Sequence, residues 1–420
     1  MPFNTYTFII FFLLVLITHH VLNKWKYQKL NLLIASYLFY SAWNPLFVLL
    51  LVFSTFCDLQ FAKKKYISKN KKKKINYLLL SILVNIGLLT YFKYGDFLLA
   101  NTVYLFKLAG IHFSPLETNI ILPVGISFYP FQTLSYTIAV YRGKIKLGFS
   151  FLDYALYVSF FPQLVAGPIV RAGEFLPQCK LPKKINFDQF GWGLSLLVMG
   201  LFMKLVLADT VFAPIVDSIY ENPERYGLFE TWIAIFSFSG QIFCDFGGYS
   251  ICAIGIALCF GFILPDNFNA PYAALGFKEF WQRWHISLSS WLRDYLYISL
   301  GGNRQSQART AINIMFTMLI GGLWHGASWM FVIWGGLHGI YIVIERYLCG
   351  YFKAIELTVV TKITLILLTY LIVSITWIFF RAEDLNTVVL IFSNILTNPT
   401  RDAISLTGLN VAALASLLIL

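Results

Sequence analysis

The feature that most constrains this sequence is a succession of apolar stretches, of roughly the length of membrane-crossing helices, that runs from residue 3 to the last residue. A hydrocarbon layer about 30 Å thick needs roughly 20 apolar residues per helical crossing, and lipid offers no partner to unpaired backbone groups. The chain is 58% hydrophobic and 12% charged, against about 25% charged in soluble domains. We therefore expect an all-α polytopic membrane protein.

Proline and glycine interrupt several of these stretches, for example at 123–125, 162–168 and 247–248. The interruptions predict about 10–12 transmembrane helices, together with re-entrant and in-plane pieces. No linker separates two parts, so we expect one integral membrane domain over 1–420. The first apolar stretch lacks the charged start and the cleavage site of a signal peptide, which favours a retained helix. The final AALASLLIL is still apolar, which is compatible with a chain that stops inside a helix.

A lysine-rich segment, KKKYISKNKKKK at 63–74, holds eight of the cationic residues that give the chain its net charge of +12. We interpret it as a cytoplasmic loop, because Lys and Arg concentrate in cytoplasmic loops. Attraction of anionic lipid headgroups or another anionic ligand is the alternative. Nucleic-acid binding is not expected, because the segment offers only one aromatic residue and no base-reading element.

The remaining motifs exclude several kinds of chemistry. The six cysteines form no C-x-x-C pair and read as small core residues. The sequence shows no zinc-ligand spacing, no glycine-rich phosphate loop and no G-x-S-x-G elbow. We expect neither a bound metal nor a bound cofactor.

The segment 278–304, KEFWQRWHISLSSWLRDYLYISLGGNR, has apolar residues at helical spacing and a separate polar stripe. This pattern predicts one amphipathic helix at the membrane interface, with Gly301 and Gly302 as its C-terminal stop. His285 lies on the apolar stripe. Taken alone, it is better explained as a core histidine bonded to a neighbouring carbonyl group than as a functional residue.

A second histidine, His325, lies in GGLWHG, inside the apolar run 321–339. Ionisable residues at membrane depth are costly and by default mark a functional path or an internal cavity. We expect Gly326 to end one helix before another starts near Ser328. His338 would then be a helix-packing residue.

Two buried histidines without metal-ligand spacing suit general-base chemistry on a hydroxyl group where water is scarce. A thioester is a suitable acyl donor for such a site, because its thiolate leaves readily. The protein then has only to deprotonate the acceptor, align it and stabilise the oxyanion.

Five strings together resemble the membrane-bound O-acyltransferases, and within them the alginate O-acetyltransferase branch. The strings are LPVGISFYPFQTLSYTIAVYRG, FFPQLVAGPIVRAGEFLPQ, FGFILPDNFNAPY, EFWQRWHISLSSWLRDYLYISLGGNR and GGLWHGASWMFVIWGGLHG. The resemblance runs in order from about residue 30 to 381. It implies helices around a funnel or tunnel, with His325 as the general base and His285 as a partner that orients the acceptor or the thioester.

The resemblance also implies an activity and a location. An acetyl group would pass from cytoplasmic acetyl-CoA across the bacterial inner membrane, through a periplasmic or extracellular SGNH-hydrolase-like partner, to a polysaccharide. Further substrate contacts are expected from Trp324, Trp284, Arg283, Arg293 and Asp294. The arginines would face the CoA phosphates, with topology anchoring as an equal alternative. Asp245 would orient a base or pair with an arginine, and a structural ion pair is the alternative.

Two departures from the branch are Ala139 and Ile251, each standing where the branch carries an aspartate. They leave the histidine pair intact and bear on the acceptor and the partner. Two other functions compete with acetyl transfer. One is transfer of D-alanine from a carrier protein toward teichoic acid, and the other is a non-catalytic transporter or scaffold, for which no internal repeat is present.

Overall fold

The computed structural model describes residues 1–115, 120–146, 148–351 and 358–397, together with Ala413, and of 349–351 only the backbone. Within these residues the chain is helical and contains no strand, which confirms the all-α class. The prediction about the apolar C-terminus falls almost wholly outside the described residues. Eighteen α-helices occur in the described part: α1 Tyr6–Val21, α2 Trp25–Ser41, α3 Pro45–Ile67, α4 Lys71–Leu89, α5 Gly95–Leu108, α6 Tyr129–Tyr141, α7 Phe151–Ser159, α8 Phe161–Leu164, α9 Ala172–Phe175, α10 Phe187–Leu201, α11 Ala213–Glu221, α12 Leu228–Cys259, α13 Phe277–Arg283, α14 Ile286–Trp291, α15 Gln307–His325, α16 Trp329–Tyr351, α17 Val359–Arg381 and α18 Leu385–Thr397.

Wider π-helical turns join some of these helices into longer rods. Thr90–Tyr94 joins α4 to α5, Phe202–Phe212 joins α10 to α11, and Leu292–Tyr297 continues α14. In the described part, five helical segments are long and apolar enough to cross a membrane: Pro45–Ile67, Lys71–Leu108, Phe187–Glu221, Leu228–Cys259 and Val359–Arg381. Length and composition therefore fit a multi-pass membrane protein, and the larger number of crossings stays a prediction.

The chain divides into two compact units, of which the first comprises 1–197 and 252–265. Its core is aromatic: the rings of Phe160, Phe175 and Phe262 lie 5.0–5.3 Å apart, centroid to centroid. A buried ion pair joins Lys29 of α2 to Asp153, whose carboxylate also caps the first turn of α7. Burial of these rings stabilises the core, and the ion pair links α2 to α7.

The second unit comprises 198–251 and 266–420. In it, α15 and α16 form an antiparallel hairpin, and three nearly fully buried tryptophans, Trp284, Trp334 and Trp377, form the centre of the core. The ring of Trp377 lies 5.0 Å from that of Trp284 and 5.4 Å from that of Trp334. All of the site residues that were predicted from the sequence belong to this second unit.

The lysine-rich segment is mostly helical, so the prediction of a loop over 63–74 is wrong. Helix α3 runs on to Ile67 and α4 starts at Lys71, which leaves only 68–70 between them. The side chain of Asn70 accepts hydrogen bonds from the backbone N–H groups of Lys72 and Lys73 and so caps α4. Lysine has a good helix propensity, which lets the end of α3 and the start of α4 include it.

Candidate active site

His325 is the last residue of α15, and the chain turns immediately after it. Gly326 is extended, and α16 begins at Trp329, which confirms the predicted helix break. A Cβ atom at Gly326 would lie 2.1 Å from the ring of Phe331, so any larger residue would force that ring to move. The turn holds the imidazole of His325 at the end of a rigid hairpin.

The hairpin is unusually close because glycines face each other across it. A Cβ atom at Gly322 would lie 2.2 Å from the carbonyl oxygen of Phe331, and one at Gly335 would lie 2.3 Å from that of Met318. Small residues let membrane helices approach until their backbones touch. The position of His325 therefore depends on backbone packing one turn away.

His285 occupies a break between two helices, so the prediction of one continuous helix over 278–304 is wrong. Helix α13 ends at Arg283, α14 starts at Ile286, and His285 between them has φ 43° and ψ 54°, in the left-handed region. For a residue other than glycine this conformation costs about 1–3 kcal/mol. The predicted stop at Gly301 and Gly302 is confirmed, since both adopt positive φ.

Asn267 holds this break in place. Its backbone carbonyl accepts from the N–H of Ile286 at 2.9 Å, and its side-chain oxygen accepts from the hydroxyl of Ser287 at 2.8 Å. Its amide nitrogen donates to Ser250 on α12 at 3.1 Å. These bonds compensate for the strain at His285, whose side chain is fully buried.

The two histidine rings lie near each other, 6.2 Å apart between centroids. At that separation they do not hydrogen-bond directly, so a group placed between them is needed to connect them. Within the described chain, neither ring nitrogen of His285 has a hydrogen-bond partner. The ring nitrogens of His285 are therefore available to a substrate hydroxyl or carbonyl group.

Aromatic rings surround the pair. Trp324 packs against both histidines, with centroids 5.5 Å from His285 and 5.0 Å from His325. Phe246 of α12 lies edge-on to His285 at 4.6 Å, and Phe380 of α17 lies 5.2 Å from His325. Such a surface excludes bulk water and strengthens any electrostatic interaction within the site.

A cavity of about 880 Å³ reaches His325. It follows α15 from Gln307 to His325, which for 19 residues is about 28 Å. Leu288 and Gly321 are among the uncharged residues along it, whereas Lys278 and Arg346 supply positive charge. Because α16 runs antiparallel to α15, Arg346 lies toward the Gln307 end, far from the histidine.

Glu345 also lines the cavity, but it is engaged in holding α13. Its carboxylate accepts from the backbone N–H groups of Phe277, at 2.5 Å, and of Lys278, at 3.1 Å. One residue further along α13, a hydrogen bond from the N–H of Leu275 lowers the pKa of Glu279, and Arg283 adds to this effect. Both carboxylates thus fix the first turn of the helix that leads to His285.

The structure brings together some of the predicted substrate residues. Trp324 contacts both histidines, and Arg293 lines the cavity with 62% of its side chain exposed, bonded to Asp294 at 2.8 Å. Trp284 stacks on Phe280 in the core instead, at 5.7 Å.

Two other residues predicted for the site, Arg283 and Asp245, form ion pairs with residues outside it. Arg283 pairs with Glu279 at 2.7 Å and does not line the cavity. Asp245 pairs with Lys204 at 2.6 Å, so its partner is a lysine rather than an arginine or a histidine. The ion-pair alternative for Asp245 therefore describes what the structure shows.

Several residues of the site carried no recognisable signal in the sequence. Asn267 is separated from His285 by 18 positions, and Lys278 and Arg346 are brought to one cavity by the fold. Trp334 packs against His325 at 5.1 Å and against His338 at 5.0 Å. His338 is fully buried among aromatic rings, which agrees with its predicted packing role.

These features define a multi-pass helical membrane protein in which a partly buried histidine, His325, lines one end of an elongated cavity and a fully buried histidine, His285, lies beside it. Over residues 32–380 the sequence matches the model of the membrane-bound O-acyltransferase family. The chain belongs to this family, and it is an acyltransferase whose reaction requires an acyl donor.

Proteins of similar sequence include two that are named for O-acetylation and, over a shorter part of the chain, a D-alanyltransferase. A probable alginate O-acetylase of Pseudomonas aeruginosa is 39% identical over 391 residues, which cover 92% of this chain and 73% of that protein. A peptidoglycan O-acetyltransferase of Helicobacter pylori is 38% identical, over 91% of this chain and 77% of that protein. A teichoic acid D-alanyltransferase of Streptococcus thermophilus is 29% identical over only 53% of this chain and 56% of that protein.

Proposed function

We propose that this chain transfers an acetyl group from acetyl-CoA toward a polysaccharide of the cell surface or periplasm. The observation that carries the proposal is the cavity, which joins a cationic end to the partly buried His325 along the whole of α15. A CoA thioester has the matching polarity, with phosphates at one end, a long neutral arm, and the reactive carbonyl at the other end. The similar proteins named as an alginate O-acetylase and a peptidoglycan O-acetyltransferase support the acetyl group and the class of acceptor.

Binding follows from the lining residues. The charges of Lys278, Arg293 and Arg346 attract the phosphates, and guanidinium groups bind them in a bidentate manner. The arm of the donor lies along Leu288 and Gly321, and the thioester carbonyl reaches His325. The length of α15, about 28 Å, is comparable with that of an extended donor.

The chemical step assigns separate roles to the two histidines. A ring nitrogen of His325 takes the proton of the acceptor hydroxyl as its oxygen attacks the thioester carbonyl. The C–S bond then breaks, and the imidazolium returns the proton to the departing thiolate, which leaves as CoA. His285 donates an N–H to the acceptor or to the oxyanion, and the aromatic walls exclude the water that would hydrolyse the thioester.

The cellular arrangement is part of the proposal. The lysine-rich segment 63–74 would lie on the cytoplasmic side of the bacterial inner membrane, since cationic segments stay there. Acetyl-CoA would enter from that side, and a periplasmic or extracellular SGNH-hydrolase-like protein would carry the acetyl group to the glycan. The family membership and the apolar helices support a protein that crosses the membrane several times.

The experiment measures which donor the purified full chain uses in lipid nanodiscs. Radiolabelled acetyl-CoA is compared with a D-alanyl carrier protein, each with and without an SGNH-hydrolase-like partner and an oligosaccharide acceptor. Release of CoA with acetyl transfer supports the proposal. Turnover with the carrier protein alone would replace it with D-alanine transfer, and turnover with neither donor would point to a non-catalytic scaffold.

A further inference from the structure

Asp58 is a buried carboxylate within a segment suited to cross the membrane. It lies near the middle of α3, and none of its surface is exposed. Among the residues that the structure describes, no lysine, arginine or histidine forms an ion pair with it. A charge at this depth is costly unless it is compensated, so Asp58 needs either a proton or a cation.

Two neighbouring helices of the first unit, α4 and α6, surround this carboxylate with polar side chains. From α4, the hydroxyl of Ser81 donates to Asp58 at 2.5 Å, and the amide nitrogen of Asn85 donates to both carboxylate oxygens, at 3.0 and 2.8 Å. From α6, Thr137 lies 3.2 Å from Ser81, and Thr133 donates to Asn85 at 2.9 Å. All of these groups are neutral and buried.

The hydroxyl groups retain oxygen lone pairs for a ligand. Ser81 gives its proton to Asp58, and Thr137 gives its proton to the backbone carbonyl of Thr133 at 3.2 Å. A hydroxyl group that donates its one proton still has lone pairs with which it can accept. The carboxylate and the two hydroxyl oxygens therefore offer the hard oxygen ligands that alkali and alkaline-earth cations prefer.

A second observation comes from α7. The hydroxyl of Tyr154 is buried, has no hydrogen-bond partner among the described residues, and interacts electrostatically with Asp58. A buried hydroxyl without a partner is an exception that calls for an unseen water or ion.

We propose that the Asp58 cluster binds a monovalent cation, for which Na⁺ is the natural candidate. One carboxylate balances one positive charge, whereas a divalent ion would leave a buried excess charge. The ion would bind the carboxylate of Asp58 together with the hydroxyl oxygens of Ser81 and Thr137. Because these ligands come from α3, α4 and α6, the ion would stabilise the packing of three helices in the first unit. The proposal does not depend on the acyltransferase chemistry.

The experiment measures thermal unfolding of the full chain in detergent, at constant ionic strength, as NaCl replaces choline chloride. We expect the Tm of the wild type to rise with Na⁺ in a saturable manner, by about 3 °C or more. Asp58→Asn keeps the shape but removes the charge, and should abolish the rise. Asp153→Asn is the matched control, because Asp153 is also a buried carboxylate of the first unit but already pairs with Lys29.

Two outcomes would contradict the proposal. A wild-type Tm that is the same in NaCl and in choline chloride would overturn the proposal and show that Asp58 is protonated. A Na⁺ response that persists in Asp58→Asn would place the ion elsewhere. Should Asp58→Asn not fold, Ser81→Ala keeps the carboxylate and should raise the half-saturating Na⁺ concentration at least tenfold, and an unchanged value would equally refute the site.

Discussion

Replacement of Gly335 by alanine tests whether the close hairpin of α15 and α16 positions His325. The new Cβ atom would lie 2.3 Å from the carbonyl oxygen of Met318, whereas ordinary van der Waals contact begins at 3.4 Å. Because that oxygen belongs to a helix backbone, the two helices must separate by about 1 Å. Overpacking of this kind costs about 1–3 kcal/mol of stability.

The effect on catalysis should exceed the effect on folding. A misplacement of about 1 Å in a catalytic group can lower the rate by about 100-fold. We therefore expect Gly335→Ala to reduce kcat for acetyl transfer by about that factor, while the protein still inserts and purifies as a monodisperse species.

Gly336→Ala provides the matched control, since it makes the same chemical change one position further along α16. Its Cβ atom would meet only a methyl group of Leu319, at 3.4 Å, which is an ordinary contact. We expect nearly wild-type activity and a slightly higher Tm, because alanine favours helix over glycine by about 1 kcal/mol. Equal kcat values for the two variants would show that hairpin spacing does not position His325.

Three further predictions concern the supports of the site. Asn267→Ala removes the side-chain hydrogen bonds that hold the break at His285. It should lower kcat at least tenfold with little change in KM for acetyl-CoA. A change in KM without a change in kcat would contradict this prediction. Lys278→Met combined with Arg346→Met should raise KM for acetyl-CoA by about tenfold but leave KM for acetyl-pantetheine unchanged, and equal effects on both donors would exclude phosphate binding there. The lowered pKa of Glu279 means that its charged form stabilises the fold above the unfolded pKa of about 4.3, and that this contribution is lost as pH falls through the folded pKa. The Tm difference between wild type and Glu279→Gln should therefore be present at pH 7 and decrease as the pH is lowered below the unfolded pKa, and a difference independent of pH would contradict it.

The sequence predicts the broad features of this fold because they depend on local composition. Apolar length identifies the membrane helices, and the glycine after His325 marks the end of α15. The break at His285, in contrast, leaves no local signal in the sequence, since apolar residues keep helical spacing across it. Only Asn267, which lies on another part of the chain, reveals that the backbone turns there.

The cavity could not be derived from the sequence for a similar reason. Its cationic end combines Lys278 from α13 with Arg346 from α16, and only the antiparallel hairpin and the capping carboxylate of Glu345 bring them together. From the sequence, Arg283 is instead predicted to face the phosphates of the CoA donor. The structure pairs it with Glu279, four residues earlier on the same helix, which is a common helix contact.

The central claim is that His325 is the general base at the end of the donor cavity. The most direct measurement is single-turnover acetyl transfer from acetyl-CoA by His325→Gln, alongside binding of a non-transferable thioether analogue of acetyl-CoA. His20→Gln serves as the control, because His20 is exposed and bonds only to the carbonyl of Leu16 at 2.9 Å. We expect His325→Gln to bind the analogue like the wild type and to lose transfer by about 100-fold to 10,000-fold. Transfer at the wild-type rate by a correctly folded His325→Gln would contradict it.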